Sequence, residues 1–323
     1  MKQTLPLLLT IAAACTLPAQ AAVQIPNYPD KPIRILVPFT PGGSTDILAR
    51  MIGQKLQEAW GQQVIADNRP GANGVVAADI AAKANPDGHT LMFVAIGHAI
   101  NPLLQKNLPY DPDKAFTAVS LTAILPQMLA LSPKVNAATL RDLLALAKGT
   151  KPVNYATGGI GSSQHLATEL LAHMAKVKLN HIPYKGGNQG LLDVVAGHVD
   201  FTITTALTVV PHVQAKRVRA LAVSTAKRLD VAPDVPTMAE AGVPGYESVA
   251  WYGMVAPAGI PPKVLDKLAA ETVRATHSAD MKAALIKQGA IPVGNTPKEF
   301  TSFIRNERTK YAKVIQEAGI KAE

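Results

Sequence analysis

Two loops rich in glycine and hydroxyl groups carry most of the chemistry legible in this chain. The first is Pro41-Gly42-Gly43-Ser44-Thr45-Asp46, and the second is Ala156-Thr157-Gly158-Gly159-Ile160-Gly161-Ser162-Ser163. Each runs from an apolar strand pattern into a helical one. Glycine lets a backbone approach a bound molecule closely. The amides at the start of a helix are unpaired and sit at the positive end of its dipole, which suits an anion. Taken singly, either loop is as well explained by tight turns, with Ser44, Asp46 and Ser163 as helix caps. One such loop in each half of the chain predicts two anion sites facing each other across a cleft.

Other chemistries fit the residues less well. A G-x-G-x-x-G nucleotide loop would need glycine at 164, where Gln164 stands, and no G-K-[ST] follows either loop. Ser162 and Ser163 lie close to His165 in sequence, the raw material of a serine hydrolase. No G-x-S-x-G elbow presents them, however, and a serine and a histidine near the start of one helix are badly placed to pair. His165, Glu169 and His173 recur every four residues and share a helix face as candidate metal ligands, but no H-E-x-x-H is present. The sequence therefore calls for a binding protein rather than an enzyme, with no catalytic residues, metal or cofactor.

The elements that must position the loops alternate in type. Ile33 to Phe39 reads as a strand covered on both faces. Ile47, Leu48, Met51, Ile52 and Leu56 mark one helix face, which Gly61 ends. Strands at 64–65 and 90–96 flank an alanine-rich helix, 75–82. The same grammar returns later, with helix 140–147, strand 153–156, helix 166–175, strand 179–183, helix 191–196 and strands 200–204 and 218–223. Helices follow at 264–276, 281–287 and 298–317. Strands alternating with helices predict an α/β fold of parallel sheets wound on both faces. Two extended, proline-bounded segments, Leu125–Ser132 and Ala250–Pro257, lack a crossover helix and are expected to run side by side as a two-stranded hinge. The domains would then be residues 22–125 with 251–323, and residues 126–250.

The N-terminus sets the compartment. Lys2, an apolar run from Leu5 to Leu17 and Ala19-Gln20-Ala21 together predict a secretory signal peptide, residues 1–21, cleaved after Ala21. The run is too short to span a bilayer. Acylation at Cys15 is the alternative, but Ala12-Ala13-Ala14 lacks the large aliphatic residue usual before a lipidated cysteine. Cys15 is the single cysteine, so cleavage leaves a mature chain without thiol or disulfide. Losing Lys2 also lowers the formal charge from +9 to +8. The remaining basic residues are scattered and aromatics are few, which argues against nucleic-acid binding.

The order of several motifs resembles a known family. Tyr28-Pro29-Asp30-Lys31-Pro32-Ile33-Arg34 is followed by Val37-Pro38-Phe39-Thr40-Pro41-Gly42-Gly43-Ser44-Thr45-Asp46, Asn68-Arg69-Pro70-Gly71-Ala72-Asn73-Gly74 and Asn85-Pro86-Asp87-Gly88-His89-Thr90-Leu91. Tyr184-Lys185-Gly186-Gly187, Arg219-Ala220-Leu221-Ala222-Val223, Val235-Pro236-Thr237 and Trp251-Tyr252-Gly253 complete the set. The pattern is similar, over essentially the whole mature chain, to the Bug family, the extracytoplasmic receptors of tripartite tricarboxylate transporters.

The resemblance implies a type II periplasmic binding fold, a monomer working in the periplasm, and a carboxylate gripped between two domains largely by amides and waters. The solute would be a di- or tricarboxylate, an amino acid or an aromatic acid, and the partner a membrane transporter or a sensing system. It places first-domain contacts at Phe39, Gly42, Gly43, Ser44, Thr45 and Asp46. Second-domain contacts fall at Thr157, Gly158, Gly161, Ser162 and Ser163, with His165, Tyr184 and Thr204 on the cleft wall. Where many relatives carry aromatic or acidic and amide residues after Val199-Asp200-Phe201, this chain has Thr202-Ile203-Thr204-Thr205-Ala206, so the resemblance does not supply the solute.

Overall fold

The computed structural model describes residues 27–287, 289–317 and 319–320, and the expected signal peptide lies outside them. The chain first alternates β1 (Ile33–Val37), α1 (Ser44–Trp60), β2 (Val64–Asn68), a 3-10 turn (Ala72–Gly74) running into α2 (Val75–Ala82), β3 (Thr90–Ala95) and α3 (Gly97–Leu104). A long strand, β4 (Phe116–Leu131), leads to α4 (Leu140–Leu146), β5 (Asn154–Thr157), α5 (Ser163–Ala175), β6 (Asn180–Pro183), α6 (Gly187–Ala196), β7 (Phe201–Thr205), α7 (Ala206–Gln214) and β8 (Arg219–Val223). The chain returns through β9 (Val249–Pro257), α8 (Pro262–His277), α9 (Ala279–Ile286), β10 (Ile291–Pro292) and α10 (Pro297–Glu317).

The strands run in the order β2-β1-β3-β9-β4-β7-β5-β6, with β8 and β10 also paired to β4. β1, β2 and β3 are parallel, as are β5, β6 and β7, while β4 and β9 run antiparallel to their neighbours. Strands fed by short loops from crossover helices are forced into this parallel arrangement and need apolar cover on both faces. That cover is present. Ile35, Leu48, Ile52 and Leu268 belong to the core on one side of the first sheet, and Leu36, Val94, Trp251 and Phe300 to the core on the other. The second sheet is similarly enclosed by Tyr155, Leu171 and Phe201 on one side and by Leu191, Val194 and Val209 on the other. The fold is thus two doubly wound α/β lobes.

The connection between the lobes differs in register from the sequence expectation. β9 does lie antiparallel beside β4, but its partners are Phe116 to Pro126, the earlier part of that strand. Gln127 to Leu131 leave β9 and pair instead with β7 and β8. β4 therefore serves both sheets as one continuous strand. Its buried run makes this possible, since every residue from Ala118 to Leu131 except Ile124 is buried.

Candidate functional site

The C-terminal ends of β1, β3, β5, β6 and β7 deliver five helix amino ends to one place between the lobes: those of α1, α3, α5, α6 and α7. In open α/β sheets ligands lie at this end of the strands. The residues there enclose a cavity of about 40 Å³, whose wall includes Ser44 and Thr45 of α1, Gly97 of α3, Ser163 and Gln164 of α5, Gly187 and Asn188 of α6, and Thr208 of α7. Four of these helices, all but α5, have no side-chain cap. Among the described residues, no Asp, Glu, Lys, Arg or His lines the cavity. Converging helix dipoles with no counter-charge make a site for an anion, whose charge is shared among amides and hydroxyls.

The first-lobe loop is built around Asp46. A left-handed turn at Gly42, with φ of 82°, brings the Gly42 amide onto the Asp46 carboxylate at 3.0 Å. Arg50 Nε and Asn68 Nδ2 donate to the same side chain, each at 3.0 Å, and Asn68 Nδ2 also donates to the Phe39 carbonyl. Burial alone would raise the Asp46 pKa, but hydrogen bonds from Arg50, the Gly42 amide and Asn68 outweigh it and hold it below the ordinary carboxylate range. Asp46 lies behind the loop, not on the cavity wall. Phe39, Gly43, Ser44 and Thr45 do line it. Gly43, not Ser44, occupies the N-cap position of α1, so the Ser44 hydroxyl is free to reach across the cleft to Thr205 Oγ1 at 2.5 Å.

The second-lobe loop uses its amides internally. Gly158 donates to Gln164 Oε1 at 2.8 Å, Gly159 to Thr157 Oγ1 at 3.1 Å, and Gly161 to His165 Nδ1 at 3.3 Å. Ser162 caps α5, accepting from the His165 amide. Ser162, Ser163 and Thr204 reach the cavity, and Gln164 joins them by donating to Thr204 Oγ1 at 2.9 Å. Thr157, Gly158, Gly161, His165 and Tyr184 do not, and neither does Gly42 of the other loop. Gly158 and Tyr184 instead border an open groove of about 840 Å³ alongside the exposed Lys106 and Lys185. The Tyr184 hydroxyl donates to Asp193 at 2.5 Å, and burial followed by that carboxylate pushes its pKa up to about 12.

His165 packs against His181 beneath the loop, with ring centroids 4.5 Å apart, and His181 stacks on Tyr155. Burial, then the neighbouring His181, pushes the pKa of His165 down to about 3, and burial pushes His181 down to about 4. Both rings are neutral at pH 7. His165 Nδ1 serves the Gly161 amide rather than a serine hydroxyl, and Glu169 accepts from Tyr155. Among the described residues no group of three His, Cys, Asp or Glu side chains is arranged to hold a metal ion.

Sequence reasoning missed much of the wall: Thr40, Asn73, Ala95, Ile96 and Gly97, then Gln164, Gly187, Asn188, Thr208 and Tyr252. Gly186 and Gly187 were a usable signal, since they open α6 as the other glycine loops open α1 and α5. Tyr252 sits on β9 at the back of the cleft, and burial raises its pKa, with a hydrogen bond to Ser44 acting the other way. The lobes touch across the cavity. Asn188 Nδ2 donates to the Pro41 carbonyl at 3.4 Å, and a methyl group at Gly161 would lie 2.7 Å from Leu104 Cδ1 and 3.0 Å from Asn73 Nδ2.

Residues 48–320 match the family model described as tripartite tricarboxylate transporter family receptor. The chain is 37% identical over 317 residues to a protein encoded in the tcbD-tcbE intergenic region of Pseudomonas sp. strain P51, covering 97% of this chain and 94% of that one. A Rhodopseudomonas palustris structure with adipate superposes with a TM-score of 0.88 at 36% identity, covering 92% of this chain and all of the other. MatC from the same species, with bound malate, superposes with a TM-score of 0.84 at 32% identity, covering 89% of this chain and all of MatC.

Proposed function

The chain belongs to the tripartite tricarboxylate transporter receptor family, whose members are periplasmic binding receptors and not enzymes, and on that premise we propose that it encloses a small carboxylate between its lobes and delivers it to a membrane transporter. One observation carries the carboxylate reading: five helix amino ends meet at a cavity whose wall, among the described residues, holds no charged side chain. Adipate and malate, found in the two neighbours, are both small dicarboxylates of the kind such a site suits.

On this reading the amides of Gly43, Ser44 and Thr45 and the Thr45 hydroxyl hold one carboxylate, and Ser162, Ser163 and Thr204 hold the other. Asp46, Gly42, Gly158, Gly161 and His165 shape the two loops from behind. The lobes divide at 125/126 and 250/251, the leader is removed after Ala21, and the mature monomer works in the periplasm. Closure buries the solute, and binding shifts the open-to-closed balance by the solute's preference for the closed form.

The test is calorimetric titration of the mature protein with succinate, malate and adipate, paired with thermal melts. A ligand that binds only the native state raises the melting temperature with its concentration relative to Kd. Saturable binding of at least one dicarboxylate with a matching rise in Tm is expected. Absence of both with every acid tried would overturn the carboxylate reading.

A further inference from the structure

We propose that Asn73 makes this site selective for a dicarboxylate bearing a hydroxyl group, over both the unsubstituted diacid and the amino diacid. The inference rests on the carboxylate reading above and deepens it. Among the described residues, two side-chain atoms on the cavity wall are buried without a protein partner: Thr40 Oγ1 and Asn73 Oδ1. They differ chemically. The Thr40 hydroxyl can donate, so a carboxylate oxygen satisfies it. The Asn73 oxygen only accepts, and a carboxylate offers it nothing.

The orientation of that amide is fixed by its neighbours. Asn101 Nδ2 donates to the Asn73 backbone carbonyl at 3.1 Å, which can only accept. Asn101 Oδ1 is therefore the acceptor of its own amide, and Asn73 must turn Nδ2 toward it, at 3.0 Å. Asn73 is 8% exposed and sits in the left-handed region, with φ of 50°, inside the 3-10 turn just before Gly74, and its side chain is held by Asn101. Its Oδ1 is left as a buried acceptor beside the cavity, and an unpaired buried acceptor is costly. Whatever fills the cavity must bring a donor.

An ammonium group is the wrong donor. No carboxylate lines the wall, and the one in the first-lobe loop, Asp46, is already taken by Gly42, Arg50 and Asn68. Five helix amino ends would repel a second positive charge. A hydroxyl supplies the hydrogen without the charge. The cavity volume, about 40 Å³, also favours a short chain.

The experiment is calorimetry on the mature protein with succinate, both enantiomers of malate, and aspartate, repeated on Asn73→Gly, which suits the left-handed backbone. One malate enantiomer is expected to bind about tenfold more tightly than succinate or aspartate, the factor appropriate to one buried acceptor satisfied or left bare. In Asn73→Gly that ratio should fall to near one, the malate losing its advantage over succinate. Equal wild-type affinity for succinate and both malates overturns the selectivity and leaves the carboxylate reading standing. Aspartate binding as tightly as malate overturns the exclusion of ammonium. Binding of none of the four, with adipate also silent, overturns both readings together. If Asn73→Gly does not fold, the wild-type ratios decide.

Discussion

The two glycine loops share a strand-loop-helix grammar and use it in opposite ways. In the first lobe a buried carboxylate, Asp46, gathers the loop from behind, and the opening amides of α1 are left without a side-chain cap. In the second lobe the loop is held from within, its glycine amides occupied by Thr157, Gln164 and His165. The difference is electrostatic as well as geometric. The first loop depends on a charge that persists at pH 7, and the second on a histidine that must remain uncharged. Similar glycine spacing thus conceals two separate means of aiming a helix amino end.

Acid should separate the loops most strongly. The folded-state pKa of His165, about 3, lies below its ordinary 6.5, so between those values the unfolded chain binds more protons than the folded one. Stability present above pH 6.5 is therefore lost as pH falls, by about 1.4 kcal/mol per unit for each such histidine. His181 adds to this, and so does His98 in the first lobe, pushed down to about 4 by burial and then by Arg308. Urea midpoints measured from pH 7 to 4.5, above the range where Asp46 titrates, should fall in the wild type. His165→Gln should flatten the slope by one histidine's share, leaving the rest. Equal slopes in the two proteins would mean that the second loop is no more acid-sensitive than the first.

The next largest effect is on affinity. Gln164→Glu keeps an oxygen for the Gly158 amide but brings a negative charge to the cavity wall and loses the donor to Thr204. A dicarboxylate should bind about 100-fold more weakly, with the melting temperature of the free protein nearly unchanged. If affinity survives, the anion does not lie against α5. Asp46→Ala attacks the first loop instead, leaving the Gly42 amide without its acceptor and Asn68 with the Phe39 carbonyl alone. It should cost about 2 kcal/mol in urea unfolding and weaken binding about tenfold. An unchanged midpoint would make Asp46 dispensable to the loop whose Gly42 amide it accepts from.

Much of this architecture was legible in the sequence, for identifiable reasons. Continuous apolar runs gave β1 and β3, and helical spacing with a terminal glycine gave α1. α3 and α7 were missed because each holds a proline, Pro102 and Pro211, which local rules read as a break. The full length of β4 was missed because its polar residues, Ser120, Thr122 and Gln127, are buried with side chains hydrogen-bonded to Asn295, Tyr252 and Ser248, partners that only the tertiary fold supplies. The two loops were found by glycine and hydroxyl content. Which of their residues face the cavity was not, since that depends on internal partners such as Gln164 and His165. Asn73 carried no signal beyond its place in a turn motif.

The smallest expected effect tests whether the loops also meet. Ser44 Oγ and Thr205 Oγ1 lie 2.5 Å apart, joining the start of α1 to the start of α7 across the cleft. Their bond needs the lobes closed, so its loss should weaken ligand binding without destabilising either lobe. Ser44→Ala is expected to lower affinity about threefold through a faster off-rate, with the urea midpoint of the free protein unmoved. Thr205→Val should do the same, and the double variant should be no worse than either single one, because both remove one interaction. Additive losses would mean that each hydroxyl serves the ligand separately. The two loops would then be coupled through the bound solute alone, and the contrast between them would extend to their roles in closure.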